Sequence, residues 1–247
     1  MSAAPSGSPA AAEAVAHVIV EAPTEHLVVA GAAGHHLTRV RRLRPGERIT
    51  AGDGRGRWRA YRVVAADSEG LECAADGPEH LESPPPVGVA LAVALTKGGI
   101  EDVVTAVTEL GVVRVIPVVS ERVVVRWDDD RARRATLRLG SAARAAAEQA
   151  RRAHLPTIDP VTPLGELAGR PGLVLADRTG GPADALTPPA EGEWTVVVGP
   201  EGGFAPAEVE AFGDCPRLAV GPHVLRAVTA PIAAVAVLTA RLAAWSA

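Results

Sequence analysis

The sequence predicts an α/β protein in two parts, a small β-barrel-like domain followed by a mainly parallel sheet with helices on both faces. Three observations predict it. The stretch "ESPPPVG", Glu82 to Gly88, interrupts the chain, because three consecutive prolines cannot continue a helix or an inner strand and form a stiff extended connector. Ahead of it, short strand-like runs alternate with turns. Behind it, strand-like and helix-like runs alternate, the pattern of a parallel sheet. At 247 residues the chain can hold two modest domains, each with its own core. The expected division is a tail over 1–14, a β domain over 15–83, a proline linker over 84–86 and an α/β domain over 87–247.

The opening "MSAAPSGSPAAAEA" is rich in Ala, Pro and Ser and is expected to be disordered; it has neither the basic start nor the long apolar run of a secretory signal. "HVIVEA", "ERITAGDGRGRWRAYRVVAA" and "GLECAA" predict strands, with "GDGRG", Gly52 to Gly56, as a hairpin turn. Past the prolines, "VGVALAVAL" predicts a buried strand, Glu101 to Leu110 a helix stopped by Gly111, "VVRVIPVVS" a second strand, and Asp130 to Arg152 a long helix rich in Ala and Arg. "GLVLAD", "WTVVVG" and "PRLAVG" predict three more strands. A helix from Pro206 follows the second of these, and an Ala-rich helix from about Pro231 closes the chain.

Composition narrows the function classes. Lys97 is the only lysine among 25 basic residues, a bias that reflects codon usage before function. Net charge is −4, yet between His35 and Arg62 nine arginines face only Glu47 and Asp53, a local excess of +7. Such a cluster fits either a polyanion-binding surface or a solvated strand face. Cys73 and Cys215 stand alone, so neither a disulfide framework nor a zinc or other metal site is expected, which suits a reducing cytosol. The most apolar segment, "PIAAVAVLTARLAAW", is too short for a membrane span and carries Arg241.

The stretch "VVVGPEGGF", Val196 to Phe204, invites a phosphate reading that its residues refuse. A phosphate loop needs GxxxxGK[ST], and after Gly203 come Phe204, Ala205 and Pro206; GxGxxG is not matched, and Glu201 would repel a phosphate. What remains is bare backbone at Gly202 and Gly203, open to close approach and to positive φ, with Pro206 suited to the first turn of a helix and Glu208 near its positive end. A plain tight turn reads equally well until "LAVGPHVLRAVTAP" supplies a second strand-to-Gly-Pro turn. Two such turns from neighbouring strands would share one sheet edge, where open α/β sheets bind ligands.

Together, "ALTKGG", "TELGV", "VIPVVSERV", "EQARR", "VVVGPEGGF" and "LAVGPHVLRAVTA" resemble the RsmE family of small-subunit ribosomal RNA uridine-N3 methyltransferases, over nearly the whole chain. "HHLTRVRRLRPGERITAGDGRG" is similar, more loosely, to that family's PUA-like RNA-binding domain. The resemblance implies a SPOUT-type C-terminal domain with a deep trefoil knot, a rare exception to topology rules. It implies S-adenosyl-L-methionine (SAM) held by three loops: Leu175 and Ala176; Gly199, Pro200, Glu201, Gly202 and Gly203; and Val220, Gly221, Pro222 and Leu225, with Thr229 and Ala230 beyond. It also implies a homodimer, a cytoplasmic enzyme, and small-subunit ribosomal RNA, within an assembled subunit, as substrate. Arg226 is then the cation that stabilises the deprotonated base, and Glu201 either accepts the N3 proton or positions the base edge. Candidate RNA contacts are Arg39, Arg41, Arg42, Arg44, Lys97, Arg122, Gln149 and Arg152. The sequence departs from the family's pattern at Ala106, His223 and Val228, which leaves open a non-catalytic RNA-binding assembly factor or the same chemistry at another RNA site.

Overall fold

The computed structural model of the chain describes residues 8, 9, 12–95, 98–122 and 128–245. The expected tail over 1–14 therefore lies mostly outside the described residues. The chain forms two compact units, residues 1–84 with 147–155, and residues 85–146 with 156–247.

The first unit is a half-barrel of five strands: β1 (Ala16–Ile19), β2 (His26–Ala30), β3 (Arg48–Gly52), β4 (Arg57–Ala66) and β5 (Gly70–Leu81), hydrogen-bonded in the order β1-β3-β4-β5-β2. Only β1 and β3 run parallel. Between β2 and β3 lies a short helix, α1 (Gly31–His35), continued by a π-helical turn over His36–Val40. Alternate residues point inward, as strand geometry requires: in β2, Leu27 and Val29 are buried between exposed His26, Val28 and Ala30. They join Val18, Ile49, Tyr61, Val63 and Leu71 in one core. The "GDGRG" turn is fixed by Asp53, whose Oδ1 accepts the N–H of Arg55 at 2.7 Å and of Arg57 at 3.1 Å. Neither β2 nor α1 is among the elements expected from the sequence, because "HLVVA" is too short a run to separate from a loop. Residues 147–155, expected in the second domain, cluster here instead. Long-range bonds hold them: Glu148 Oε1 accepts the Ile19 N–H at 3.0 Å, Leu155 N–H reaches the Gly54 carbonyl and Gly56 N–H the Ala153 carbonyl.

The second unit contains β6 (Val87–Ala94), α2 (Ile100–Glu109), β7 (Arg114–Val119), α3 (Asp129–Ala150, up to Ala146), β8 (Thr157–Ile158), β9 (Thr162–Pro163), β10 (Leu173–Gly181), β11 (Gly192–Val198), α4 (Pro206–Phe212), β12 (Arg217–Leu218) and α5 (Thr229–Trp245). All the strands are parallel, in the order β12-β10-β11-β6-β7-β8 with β9 also on β7. The pleat sorts β6 onto two faces. Leu91 and Val93 pack with Val103, Val107, Leu139, Ala234 and Leu238 from the helices on one side. Ala92 and Ala94 pack with Leu164, Leu167 and Phe212 on the other. A strand covered on both faces reads as an unbroken apolar run, which is why "VGVALAVAL" was legible. β12 sits at the edge beyond β10, while α5, which follows it, packs on β6 and β11 in the middle of the sheet.

Candidate active site

β10, β11 and β12 run parallel, so the loops that follow them meet at one edge of the sheet. There they enclose a cavity of about 390 Å³, within the range of small-molecule sites. β10 parts from β11 after Leu175 and supplies Ala176, Asp177 and Arg178. The turn after β11 supplies Gly199, Pro200, Glu201, Gly203 and Phe204. The segment after β12 supplies Val220, Gly221, His223, Leu225 and Ala227, and the first turn of α5 adds Ala230. Leu175, Gly202, Pro222, Thr229 and Arg226 do not line it.

The glycine-rich turn is closed by its own backbone. Gly203 N–H donates to the Pro200 carbonyl at 2.8 Å, and Gly203 sits at φ +68°, which favours glycine. Gly202 does not share that conformation. A Cβ at Gly199 would lie 3.1 Å from the Phe204 ring, so the missing side chain there is filled by an aromatic that also lines the cavity. The Gly202 carbonyl accepts the Arg122 Nη1–H at 2.7 Å.

Charge at the cavity is of two kinds. Asp177 is committed, its Oδ1 accepting both the N–H and the hydroxyl of Thr179 at 2.8 Å and its Oδ2 lying 3.4 Å from Arg217. The Thr179 hydrogen bonds, more than the charge of Arg217, hold its carboxyl below the usual carboxylate range. Glu201, by contrast, is exposed and has no hydrogen bond or ion pair among the described residues, so its carboxylate is available to a ligand. Arg226 is exposed between the lining residues Leu225 and Ala227, and its carbonyl accepts the Thr229 and Ala230 N–H at 2.9 Å, starting α5. Asp177 and Arg178 escaped the sequence reading; their signal is a charged pair directly after the buried run "LVLA".

The candidate RNA contacts divide. Arg39, Arg41, Arg42 and Arg44 are all exposed within one short stretch of the first unit, although the Arg41 guanidinium also donates to the Val15 carbonyl. Gln149 is exposed. Arg152 is half-buried, and burial pushes its guanidinium down to about 10 against the opposing pull of Glu82. Arg122 is engaged with Gly202, and Lys97 lies outside the described residues. Among the described residues no group of three or more His, Cys, Asp or Glu could hold a metal, and no helix is long and apolar enough to cross a membrane.

Comparison with known proteins agrees with this arrangement. A family described as "RNA methyltransferase domain" matches residues 83–239, and one described as "RNA methyltransferase PUA domain" matches residues 29–75. The chain is 36% identical over 231 residues to the ribosomal RNA small subunit methyltransferase E of Mycobacterium bovis, covering 87% of each. It is 28% identical to the Bacillus subtilis protein of that name, covering 90% of this chain and 91% of the other. A methyltransferase structure from Legionella pneumophila, in complex with bound SAM, superposes with a TM-score of 0.79 at 25% identity, covering 92% of this chain and 96% of that one. The Neisseria gonorrhoeae small subunit methyltransferase E, also bound to SAM, has the same fold at a TM-score of 0.79 and 24% identity, covering 92% and 97%. The chain therefore belongs to the RNA methyltransferase family that carries a PUA domain ahead of its catalytic domain.

Proposed function

We propose that this protein methylates N3 of one uridine in small-subunit ribosomal RNA, using SAM bound in the cavity at the ends of β10, β11 and β12. The cavity carries this reading. Its walls are main chain and apolar side chains such as Val198, Phe204, Val209 and Leu225, and the ionisable side chains among the described lining residues are Asp177, Arg178, Glu201 and His223. That mixture fits a ligand with an apolar base and charged ends. Relatives named for small-subunit ribosomal RNA methylation and a SAM-bound structural relative support the same substrate and cofactor.

SAM, when bound, supplies the electrophilic methyl group. The chain's own residues must do the rest. Uridine N3 is a poor nucleophile until its proton leaves, and Glu201, exposed at the cavity wall, accepts that proton or holds the base edge. Arg226 stands beside the lining residues, always charged, and stabilises the negative charge spread onto the base carbonyls. The arginines at 39–44 hold ribosomal RNA phosphates, in an assembled subunit in the cytoplasm. The second unit forms the catalytic domain as a homodimer, and the run from edge strand β12 back to α5 over the sheet centre is the threaded segment of a trefoil knot. The test is to delete the gene and map nucleosides of the small-subunit ribosomal RNA by mass spectrometry. Loss of one 3-methyluridine is expected; its persistence would overturn the assignment.

A further inference from the structure

The residues that grip the glycine-rich turn lie one layer behind the cavity. Glu208, in the first turn of α4, gathers three donors on one carboxylate: Oε2 accepts the Ala205 N–H at 2.7 Å and the Ser120 hydroxyl at 3.0 Å, and Oε1 accepts the Glu121 N–H at 2.8 Å. The Ala205 bond is half of a capping box, the only half possible when the residue starting the helix is alanine. The other two bonds reach across 87 and 88 residues of sequence to the loop after β7. Next along that loop, Arg122 lays its stem over Gly202, with Cδ 3.7 Å from where a Cβ would stand, and its guanidinium holds the Gly202 carbonyl at 2.7 Å. The loop after β7 thus holds the turn bearing Glu201 directly at Gly202, through Arg122, and at Ala205 only through Glu208, whose carboxylate bonds both. None of Ser120, Glu121, Arg122 or Glu208 lines the cavity, yet Glu201, Gly203, Phe204 and Val209, which alternate with the pinned residues, all do.

We infer that Glu208 is a positioning residue for the ligand site: with Ser120 and Arg122 it holds the Glu201 turn in its binding shape before any ligand arrives. The inference rests on the SAM reading of the cavity, but its structural half can be tested without any ligand. The carboxylate's charge is essential to the arrangement. Backbone N–H groups approach both oxygens, so the amide of Glu208→Gln must aim its own N–H₂ at one of them in either orientation, leaving a donor against a donor. The neutral isostere should therefore fail where a simple space-filling role would let it succeed. Ser120→Ala, which removes one neutral donor and keeps both backbone bonds, should be milder.

The test uses the full chain. Hydrogen–deuterium exchange without SAM reads the turn directly, and calorimetry reads SAM affinity. For Glu208→Gln, faster exchange over residues 199–205 and roughly tenfold weaker SAM binding are expected, the scale of losing a hydrogen bond to a charged group. Arg122→Ala should loosen the same peptide, and Arg122→Lys should restore part of the protection by offering a cation to the Gly202 carbonyl. Exchange and affinity both at wild-type values in Glu208→Gln would overturn the inference. If the wild-type chain binds no SAM, the functional reading fails while the exchange measurement still decides the clamp. If Glu208→Gln does not fold, Ser120→Ala and the Arg122 pair decide it by the same two readouts.

Discussion

At the scale of single residues, the two side chains assigned to the chemistry differ in how they meet the cavity. Glu201 lines it with no partner among the described residues, whereas Arg226 stands outside the lining between two residues that form it. Arg226→Ala should therefore leave SAM affinity within several-fold while lowering the methylation rate by about 100-fold or more, as removal of one transition-state charge partner does. Calorimetry and single-turnover methylation measure the two separately, and normal turnover would remove Arg226 from the mechanism. His17 makes a different prediction. It is buried in the first unit with Nδ1 2.8 Å from the Thr50 hydroxyl, and burial, aided by the charge of Arg151, pushes its imidazole down to about 4. The unfolded chain titrates near 6.5, so it binds a proton that the folded state refuses between those values. The stabilisation is complete above about pH 6.5 and is lost as pH falls towards 4, roughly 2 kcal/mol of it between pH 7 and pH 5. Urea denaturation followed through Trp58, buried in the same unit, should show that loss, and His17→Gln should flatten it; an unchanged slope would place the effect elsewhere.

At the scale of elements, boundaries depend on contacts that local sequence does not carry. The closing helix was read from about Pro231 but begins at Thr229, with Pro231 accommodated in the first turn, where a missing N–H costs nothing. Its true start is set by the Arg226 carbonyl. β12 keeps only Arg217–Leu218 of the expected "PRLAVG", because the chain leaves the edge to build the cavity wall. The start of α2 shows the same dependence at closer range. Gly99 precedes it at φ +80°, and a Cβ there would stand 2.6 Å from Val228 Cγ1. Val228 is thus a packing residue that joins α2 to the segment carrying Leu225 and Arg226. Gly99→Ala should cost about 2 kcal/mol, part from the left-handed backbone and part from the clash. Val228→Ala in the same chain should return the clash part alone, so a double-mutant cycle by denaturation should show clear coupling; additive values would mean that the two residues do not press on each other.

At the scale of the whole molecule, what was legible had a local cause and what was not had a long-range one. The buried strands, the proline break and the two Gly-Pro turns each announce themselves within ten residues, and the cavity follows because parallel neighbours must end together. The placement of residues 147–155 with the first unit, the bond of Ser120 to Glu208, the grip of Arg122 on the turn, and the tie of Arg114 to both Asp159 and Glu193 at 2.8 Å join segments 45 or more residues apart. No window of sequence contains them. Charge lies between these cases, since the arginine excess was countable but its use was not. Arg122 and Arg152 turn out to have internal partners, and Arg41 gives one hydrogen bond to Val15, whereas Arg39, Arg42 and Arg44 have exposed side chains with no partner among the described residues. Free guanidinium groups that meet phosphates release counterions, and each such contact adds about 0.7 to 0.9 to the slope of log affinity against log salt. Neutralising Arg39, Arg42 and Arg44 together should therefore weaken binding to small-subunit ribosomal RNA at low salt and lower that slope by about 2 to 3. Neutralising Arg152 should leave the slope alone and reduce stability instead, because it removes a half-buried charge beside Glu82. Filter binding across a salt series separates the two outcomes. A slope unchanged by the triple substitution would move the RNA surface off this stretch of the first unit.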